Sequence, residues 1–397
     1  MKIVYLAAYF YPEKYASAEI YTSILEELAK CHEVHVIAPQ PTRGVSEREF
    51  CEYSRLEKRN GLIIHHFPMK RERESTLKRM LRYKKCERGY KKIAKGLGKA
   101  DYVFVASTPP TIGILAEKIA KKLGAKVVYS LQDIFPDSLI SSGILKKASG
   151  PIWWLGRNIE KKTYKKADCI TVISESFYEN LVKKGVPKEK LVLIPNWVDL
   201  AHVRFIKKEE NKLYAEFGIP RDTFNIVYAG NMGAAQDVKV LLSVAEKLKE
   251  EEGIRFVVFG GGTGYGEFVK GVREKELGNV ILNPLLSQER VSEVYSLGDV
   301  ALIACKKGAG KTALPSKTWS IMACDTPIIA SFDLDSELAN VIQAAKAGIC
   351  VEPSNADAFC DAILHMVNNP LQVSTRQYVQ DHYSKESLLE KYLHLFK

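Results

Sequence analysis

The chain has 397 residues, 46% of them hydrophobic and 26% charged, which is the composition of a globular protein and excludes a disordered or fibrous one. This length exceeds that of one typical domain, so we expect two domains with separate cores. The formal net charge of +11 favours an anionic partner, which leaves a phosphorylated substrate, a membrane surface and a nucleic acid open.

The N-terminal sequence MKIVYLAAYFYPE predicts no signal peptide, because its apolar run is short, lacks a small-residue cleavage site and continues into Pro12 and Glu13. No stretch approaches the roughly 18 uninterrupted apolar residues of a transmembrane helix. The eight cysteines are scattered and form no C-x-x-C pair. We therefore expect buried free thiols in a reducing cytoplasm, and neither a disulfide framework nor a zinc site.

Apolar runs of strand length alternate with helical patterns along the first half of the chain. The predicted strands lie at 2–8, 33–38, 61–67, 101–106, 126–131, 169–173 and 191–194. Apolar residues spaced by three and four predict helices at 20–29, 111–123, 176–184 and from 152 onward. Repeated strand–helix units of this kind indicate an α/β fold with a doubly wound parallel sheet.

A second series of units follows a polar linker at 202–221. Its strands are predicted at 225–229, 255–259, 280–282, 300–305 and 326–330, with a helix at 238–248. The sequence therefore predicts two Rossmann-like domains, 1–196 and 197–375, whose strand-end loops face a cleft. Residues 376–397 are expected to form a C-terminal helix that packs back on the first domain.

The positive charge is concentrated in segment 70–92, which holds eleven Lys and Arg residues and three Glu, a local net charge of +8. Leu77, Met80 and Leu81 recur at helical spacing within it, which predicts an amphipathic helix with a cationic face. A second apolar run, 152–155, contains two tryptophans, which favour the membrane–water interface. The candidate membrane contacts are Arg79, Arg82, Lys84, Lys85, Trp153 and Trp154. The alternative is that the apolar residues belong to the core and the charges to a solvated face.

Segment 314–324 follows a predicted strand and a loop that contains Lys306, Lys307 and Lys311. Ser316 is predicted to cap a helix that begins near Lys317. A helix start carries unpaired N–H groups and partial positive charge. This helix start, with Lys311 and Lys317, is therefore a candidate site for a phosphate or diphosphate. Local features alone favour the alternative, an ordinary capped helix beside a solvated loop, since no P-loop or G-x-G-x-x-G is present.

Ligands of open α/β sheets bind beyond the carboxyl ends of the strands, so the loops there are the other candidates. Glycines in 230–236 and 260–264 let backbone N–H groups approach a phosphate, although plain turns have the same composition. Asp133 follows a buried strand and is a candidate base or hydroxyl ligand, with a helix N-cap as an equal alternative. Four histidines lack the spacing of metal ligands and are interpreted as structural, namely His32, His35, His65 and His66.

Taken in order, these motifs resemble family 4 of the retaining GT-B glycosyltransferases, which use nucleotide sugars. The likeness is greatest to the branch that builds bacterial surface polysaccharides, including L-fucosamine (N-acetyl-fucosaminyl) transferases. The segments that carry the resemblance are 9–13, 32–34, 107–110, 132–137, 194–199, 228–236, 315–324 and 333–337. Each motif is modest, but their order and spacing together are fairly specific.

The resemblance implies the GT-B fold, with the nucleotide sugar bound by the second domain. Lys317 matches a basic residue near the phosphates, so the catalytic candidates are Lys317, Lys311 and Asp133. The expected donor-binding residues are Gly230, Asn231, Gly233, Gln236, Gly261, Asn283, Pro284, Leu285, Thr312, Ser316 and Ser320. The residues expected on the acceptor side are Tyr11, Pro12, Glu13, Ser107 and Thr108.

The chain departs from the family pattern at two places. Many members carry a Glu-x7-Glu pair whose second Glu holds the ribose hydroxyls, and the matching residues here are Thr312 and Ser320. An Arg/Lys pair that commonly follows the Gly-rich loop is replaced by Gln236 and Asp237. We therefore expect other groups to neutralise the phosphates, with Lys311 and Lys317 as the best candidates.

The resemblance, taken with these residues, implies a retaining transferase that needs neither metal nor cofactor. We expect it to move an N-acetylated amino or deoxy sugar from a UDP-sugar to a polyprenyl-diphosphate-linked saccharide, as a cytoplasmic protein attached peripherally to the anionic inner leaflet. An Asp-x-Asp at 333–335 could suggest a metal site, but it lies in a segment that carries the family resemblance, and that family resemblance accounts for it without a metal. One alternative is a sugar-nucleotide epimerase of the same fold. The other is a nucleic-acid-binding protein, which the scarcity of aromatic residues in the basic segment argues against.

Overall fold

The computed structural model describes residues 1–13, 16–42, 53–70, 76–141, 143–311 and 314–397. These residues divide into two compact units. The first unit comprises Met1–Pro136, Ser149–Pro195 and Leu389–Lys397, and the second comprises Asp137–Ala148 and Asn196–Leu388. Each unit is built on one sheet that is wholly or mainly parallel, so the predicted α/β architecture is confirmed.

Among the described residues, the sheet of the first unit has the strand order β3-β4-β2-β1-β5-β6-β7-β8. Its strands are β1 (Lys2–Leu6), β2 (Glu33–Pro39), β3 (Arg55–Arg59), β4 (Leu62–Phe67), β5 (Tyr102–Ala106), β6 (Lys126–Leu131), β7 (Cys169–Val172) and β8 (Leu191–Leu193). All neighbours pair in parallel except β3, which pairs antiparallel with β4 at the edge. Strand β3 was not predicted, because its sequence, RLEKR, is charged and the strand is largely exposed.

Five of the six helices between these strands were predicted, and the exception is the short helix at 137–141, which belongs to the second unit. They are α1 (Ala16–Leu28), α2 (Thr76–Ala94), α3 (Ile112–Leu123), α4 (Asp137–Ser141), α5 (Pro151–Lys166) and α6 (Glu175–Lys183). In α3 the apolar stripe is buried, and the helix ends at Gly124, whose φ of 69° suits glycine and whose N–H donates to the carbonyl of Ala120. No described helix combines the length and the apolar character needed to cross a membrane.

The second unit has the strand order β11-β10-β9-β12-β13-β14 among its described residues, with parallel pairing throughout. Its strands are β9 (Phe224–Asn231), β10 (Ile254–Gly261), β11 (Val280–Pro284), β12 (Val300–Ala304), β13 (Ile328–Ser331) and β14 (Gly348–Val351). Its helices are α7 (Leu213–Glu216), α8 (Val238–Lys247), α9 (Tyr265–Glu274), α10 (Val291–Tyr295), α11 (Lys317–Ala323), α12 (Glu337–Ala344) and α13 (Ala356–Asn368).

The strand order of the second unit reverses between β9 and β12, and an open sheet binds its ligands at such a switch point, beyond the carboxyl ends of the strands. Alternate residues of β9 enter two different apolar cores, with Val227 and Ala229 in one and Ile226 and Tyr228 in the other. A strand buried on both faces reads as a continuous apolar run, which is why the sequence revealed it.

Residues 376–397 form two helices where one was predicted, α14 (Arg376–Tyr383) and α15 (Lys385–Leu395). Phe396 follows α15 and is fully buried in the first unit. Its ring lies edge-on to Phe104, with 5.4 Å between ring centroids, and to Tyr102 at 5.1 Å. The last residues of the chain are therefore part of the core of the first unit.

Candidate functional site

Lys317 lies at the start of α11, next to the carboxyl end of β9. Its Nζ is 4.2 Å from the centre of the Tyr228 ring, a cation–π distance. A Cβ added at Gly230 would lie 3.3 Å from the same Nζ. Gly230 also has a φ of 131°, a conformation that side chains other than glycine rarely adopt. The glycine therefore provides both the backbone conformation and the space for the ammonium group.

The electrostatic state of Lys317 is unusual for a lysine. Burial lowers the pKa of its ammonium group to about 8, and the neighbouring Cys305 partly offsets this effect. No ion pair joins Lys317 to a carboxylate within the part of the chain that the structure describes. A half-buried cation without a counter-charge is suited to bind an anion, which would stabilise its charged form.

The start of α11 differs from the expectation in one respect. Ser316 occupies the N-cap position, but its side chain makes no capping hydrogen bond. Ser320 lies on the buried side of this helix. Thr312 lies outside the described residues, as does the side chain of Lys311, so their predicted roles stay predictions.

The loop after β9 is held closed by one of its own side chains and by Lys306, which follows β12. The Gly233 N–H donates to Gln236 Oε1 at 2.9 Å, and Lys306 Nζ donates to the carbonyl of Ala234 at 2.7 Å. Asp237 caps α8 by accepting from the Val240 N–H at 3.1 Å. Gln236 and Asp237, which replace the family's basic pair, thus have structural contacts that a basic residue would not make.

The second glycine-rich segment, 260–264, packs against the same loop and is not a loose surface turn. Gly262 has a φ of 95°, and a Cβ there would lie 1.9 Å from Asn231 Oδ1. The Met232 N–H donates to the carbonyl of Gly261 at 2.7 Å, and the Gly264 N–H donates to the carbonyl of Met232 at 2.8 Å. These contacts bring the ends of β9 and β10 together.

Asn283, Pro284 and Leu285 lie at the end of the neighbouring strand, β11. A Cβ at Gly261 would lie 3.6 Å from Leu285, so the predicted donor residues on these two strand ends are adjacent. Asn283 is buried, and its Nδ2 has no hydrogen-bond partner among the described residues. Nearby, a cavity of about 680 Å³ is lined by residues of several loops, including Gly233, Gln236, Thr263, Gly264, Lys306 and Ser354.

In the first unit, the residues predicted on the acceptor side have different surroundings. Tyr11 is exposed, and the Arg59 guanidinium lies over its ring at 3.6 Å. Pro12 is half-buried. Glu13 is buried, and its Oε1 accepts from the backbone N–H of Thr42 at 2.6 Å and from its hydroxyl at 2.9 Å. Glu13 therefore holds two loops together.

The loops after β5 and β6 are also joined, since Ser107 Oγ accepts from the Gln132 N–H at 3.1 Å. Thr108 is half-buried beside it, and Asp133 is exposed. The alternative interpretation of Asp133 as a helix N-cap is wrong, because α4 begins four residues later, at Asp137. A chemical role for Asp133 stays a prediction.

Arg82 was predicted to contact a membrane, and the structure contradicts this. Its side chain is 4% exposed and donates to Thr42 Oγ1 at 2.5 Å and to the carbonyl of Ala8 at 3.0 Å. The guanidinium also lies 4.5 Å from the centre of the Tyr9 ring. Arg82 thus belongs to the interior of the first unit, on the inner side of α2.

The remaining membrane candidates differ in exposure. Lys84 and Lys85 are exposed on α2, and the side chain of Arg79 lies outside the described residues. Trp154 is 66% exposed, so the core alternative is wrong for this tryptophan, whereas Trp153 is half-buried. Ile152 and Leu155 are exposed on the same turn of α5.

The histidines of the first unit contact one another and glutamates. His35 Nδ1 is 2.8 Å from His65 Nε2, and His35 Nε2 is 2.6 Å from Glu33. Burial, followed by the charge of His35, lowers the pKa of His65 to about 4. No group of three or more His, Cys, Asp or Glu within the described ranges is placed to hold a metal ion.

Two roles could not be read from the sequence. Tyr228 supports Lys317, but it is one aromatic residue inside an apolar strand pattern, and only its position two residues before Gly230 marks it. Asp333, in the Asp-x-Asp, accepts from the Gly308 N–H at 2.9 Å and from the Gly310 N–H at 2.8 Å. It therefore has backbone partners on the loop that precedes α11.

Comparison with known proteins agrees with this architecture. Residues 20–202 match the family model described as Glycosyltransferase Family 4, and residues 223–369 match that described as Glycosyl transferases group 1. WcaI of Escherichia coli K12, whose name provisionally assigns it glycosyl transfer in colanic acid biosynthesis, is 26% identical over 279 residues, which is 69% of this chain and 68% of WcaI.

Two solved structures with the same fold align with the whole of this chain. Sucrose-phosphate synthase from Thermosynechococcus elongatus has a TM-score of 0.76 at 15% identity over 98% of its own length. HepE of Anabaena, solved in complex with UDP, has a TM-score of 0.71 at 11% identity over 99% of its length.

The fold and the family matches define the class: the protein is a glycosyltransferase with the GT-B fold. Within that class, the match of residues 20–202 to the Glycosyltransferase Family 4 model agrees with the family that the motifs resemble.

We predict that the Lys317 ammonium titrates near pH 8 in the ligand-free protein, about two units below an ordinary lysine, because burial favours the neutral amine. The measurement is NMR of protein labelled with ¹³C at the lysine ε-carbon. The resonance is assigned by its loss in Lys317→Arg. A midpoint above pH 10 for that resonance would contradict the burial described above.

Proposed function

We propose that the enzyme transfers a sugar, with retention of anomeric configuration, from a UDP-sugar held by the second unit. The observation that carries the proposal is the half-buried ammonium of Lys317, which lies beside Gly230 without a carboxylate partner among the described residues. Negative charge develops on the β-phosphate as the nucleoside diphosphate departs, and a preorganised cation stabilises that charge. The UDP bound by HepE, a protein of the same fold, supports the choice of nucleotide.

The proposed site consists of groups at adjacent strand ends. Lys317 and Lys311 would neutralise the diphosphate, and the loop after β9 would border it. Asn283 is buried at the end of β11 with an unpartnered amide nitrogen, which a base carbonyl oxygen could accept from. We propose that no metal or other cofactor takes part, because Lys317 and Lys311 would supply the positive charge that a metal provides in other transferases.

For the acceptor we propose a saccharide linked to a polyprenyl diphosphate, in the synthesis of a surface polysaccharide. The likeness to WcaI, which is named for colanic acid biosynthesis, supports this class. The motifs resemble the fucosaminyl transferase branch, so we propose an N-acetylated amino or deoxy sugar as the group transferred. We therefore propose that the enzyme acts on the cytoplasmic side of the cell membrane, at its inner leaflet.

The proposal is tested by incubating the protein with a panel of nucleotide sugars and polyprenyl-diphosphate saccharides. Nucleotide release, a mass increase of one sugar residue on the lipid and an unchanged anomeric configuration by NMR are the expected results. A new nucleotide sugar formed without an acceptor would instead establish an epimerase. Equal activity with excess EDTA is expected, and loss of activity with EDTA would overturn the metal-free mechanism.

We predict that Lys317→Ala weakens UDP binding by about 2 kcal/mol, or roughly 30-fold, because a charge-assisted contact to phosphate is lost. Isothermal titration calorimetry measures this, with Lys307→Ala, an exposed lysine of the preceding loop, as the matched control. Wild-type affinity should fall up to about ten-fold from pH 7 to pH 9 as the free ammonium deprotonates, whereas Lys317→Arg should show no such fall. Unchanged UDP affinity in Lys317→Ala would refute the assignment.

We predict that Asp133→Asn lowers turnover at least 100-fold and leaves UDP affinity within two-fold of wild type, since a lost base or hydroxyl ligand acts on the acceptor and not on the nucleotide. Single-turnover kinetics and calorimetry separate the two quantities. Asp137→Asn, in the first turn of α4, is the control for a general effect of removing a carboxylate nearby. Turnover equal to wild type in Asp133→Asn would remove Asp133 from the mechanism.

We also propose that the first unit attaches to an anionic membrane through exposed residues of two helices. Trp154, Ile152 and Leu155 form an apolar turn at the start of α5, and Lys84 and Lys85 are exposed on α2. Aromatic and aliphatic side chains insert shallowly at the lipid interface, and each basic residue near an anionic leaflet contributes roughly 1 kcal/mol. An acceptor that is itself anchored in the membrane would make such attachment useful.

We predict that the protein sediments with vesicles that contain anionic lipid, that binding falls as salt rises, and that neutral vesicles bind little. A variant with Trp154→Ser, Lys84→Ser and Lys85→Ser should bind at least ten-fold more weakly. Lys270→Ser, an exposed lysine of the second unit, is the control. Equal recovery in the supernatant with neutral and anionic vesicles at low salt would remove the membrane claim.

A further inference from the structure

We infer that Asp333, the first acidic residue of the Asp-x-Asp, is a positioning residue for the basic loop, defined here as residues 306–311. This inference rests on the proposed donor site, because the loop leads from β12 to α11 and to Lys317. The second acidic residue, Asp335, has no part in it. In this inference the Asp-x-Asp fixes the conformation of the basic loop through Asp333 and does not act as a pair of metal ligands.

The geometry of Asp333 accounts for both of its carboxylate oxygens. Asp333 follows β13 and is 8% exposed. Its Oδ1 accepts from the Gly308 N–H at 2.9 Å, and its Oδ2 accepts from the Gly310 N–H at 2.8 Å. Hydrogen bonds to an ionised acceptor are stronger than neutral ones, and burial strengthens them further. One side chain thus fixes two backbone positions of the basic loop.

The glycines of the loop are suited to this arrangement. Gly308 has a φ of 87°, which turns the chain so that its N–H and that of Gly310 reach the same carboxylate. Gly310 packs closely, since a Cβ there would lie 2.7 Å from Ser336 Cβ and 3.0 Å from the Phe332 ring. The loop is therefore pressed against the end of β13 and cannot move toward it.

The other end of the loop is tied to the loop after β9. The Lys306 N–H donates to the carbonyl of Ala235 at 2.9 Å, in addition to the Lys306 Nζ contact with Ala234. Asp333 fixes the second end, next to Lys311. Removing its carboxylate would release the end of the loop that is closest in sequence to the two proposed phosphate ligands.

Asp335 provides a matched comparison inside the same motif. It is exposed, whereas Asp333 is buried against the loop. A metal-binding Asp-x-Asp would depend on both carboxylates and on an added divalent ion. A positioning role depends on Asp333 alone and does not depend on the ion.

The test compares Asp333→Ala, Asp333→Asn and Asp335→Asn in the full chain. Hydrogen–deuterium exchange of peptides that cover 306–311, measured without ligand, reports the loop directly. We expect at least ten-fold faster exchange in Asp333→Ala, an intermediate value in Asp333→Asn, which keeps one acceptor oxygen, and the wild-type rate in Asp335→Asn. Wild-type exchange in Asp333→Ala would overturn the inference.

The functional arm measures UDP affinity and the KM for donor and acceptor separately. We expect Asp333→Ala to raise the UDP Kd and donor KM about ten-fold, with the acceptor KM unchanged, in protein whose melting temperature shows it to be folded. Faster exchange with an unchanged donor KM would show a purely structural role and overturn the positioning claim. A wild-type protein that does not bind UDP would refute the proposed function, while the exchange data would still decide the role of Asp333 in the loop.

Titrations of the same variants with Mn²⁺ and Mg²⁺ distinguish the positioning role of Asp333 from metal binding by the Asp-x-Asp. We expect equal turnover across the metal series for wild type and Asp335→Asn. Metal-dependent turnover that is lost equally in Asp333→Asn and Asp335→Asn would assign the motif to metal binding and overturn the inference.

Discussion

The arrangement of the second unit depends on keeping one positive charge in a half-buried position without a negative partner. Desolvation makes such a charge unfavourable, as the pKa of about 8 for Lys317 shows. The ring of Tyr228 partly compensates, since the face of an aromatic ring attracts a cation. Gly230 leaves space beside it, and no described carboxylate pairs with the ammonium. These features are the basis on which we propose that Lys317 binds the donor phosphates.

The chain departs from the family pattern after β9, and the two residues there have structural contacts. The neutral Gln236 closes the loop after β9 through the Gly233 N–H, and Asp237 caps α8. Neither residue can neutralise a phosphate. In the proposed donor site, positive charge therefore comes from other loops, and the chain carries lysines on the segment between β12 and α11. The departure at 236–237 and the position of Lys317 are thus parts of one arrangement.

The sequence predicted the buried parallel strands well, because a strand covered on both faces is apolar throughout. It could not reveal β3, whose charged residues belong to an exposed edge, nor single out Arg82 from its basic neighbours. Arg82 is buried because Thr42 and Ala8, distant in sequence, accept its hydrogen bonds. The order of strand, loop and helix, together with the family resemblance, made Lys317 a candidate, whereas its lowered pKa and its aromatic support arise from tertiary packing. Burial of individual polar residues is decided by contacts that no local pattern encodes.

The position of Phe396 has a consequence for how the chain folds during synthesis. The first unit needs residues from Leu389 onward to complete its core, yet nearly two hundred residues of the second unit are translated in between. At about 5–20 residues per second, the ribosome takes roughly 10–40 s to deliver them. Throughout that interval the rings of Phe104 and Tyr102 lack their contact with Phe396. The nascent first unit therefore presents an apolar surface that a chaperone can bind, and it acquires its final packing only after the second unit has emerged.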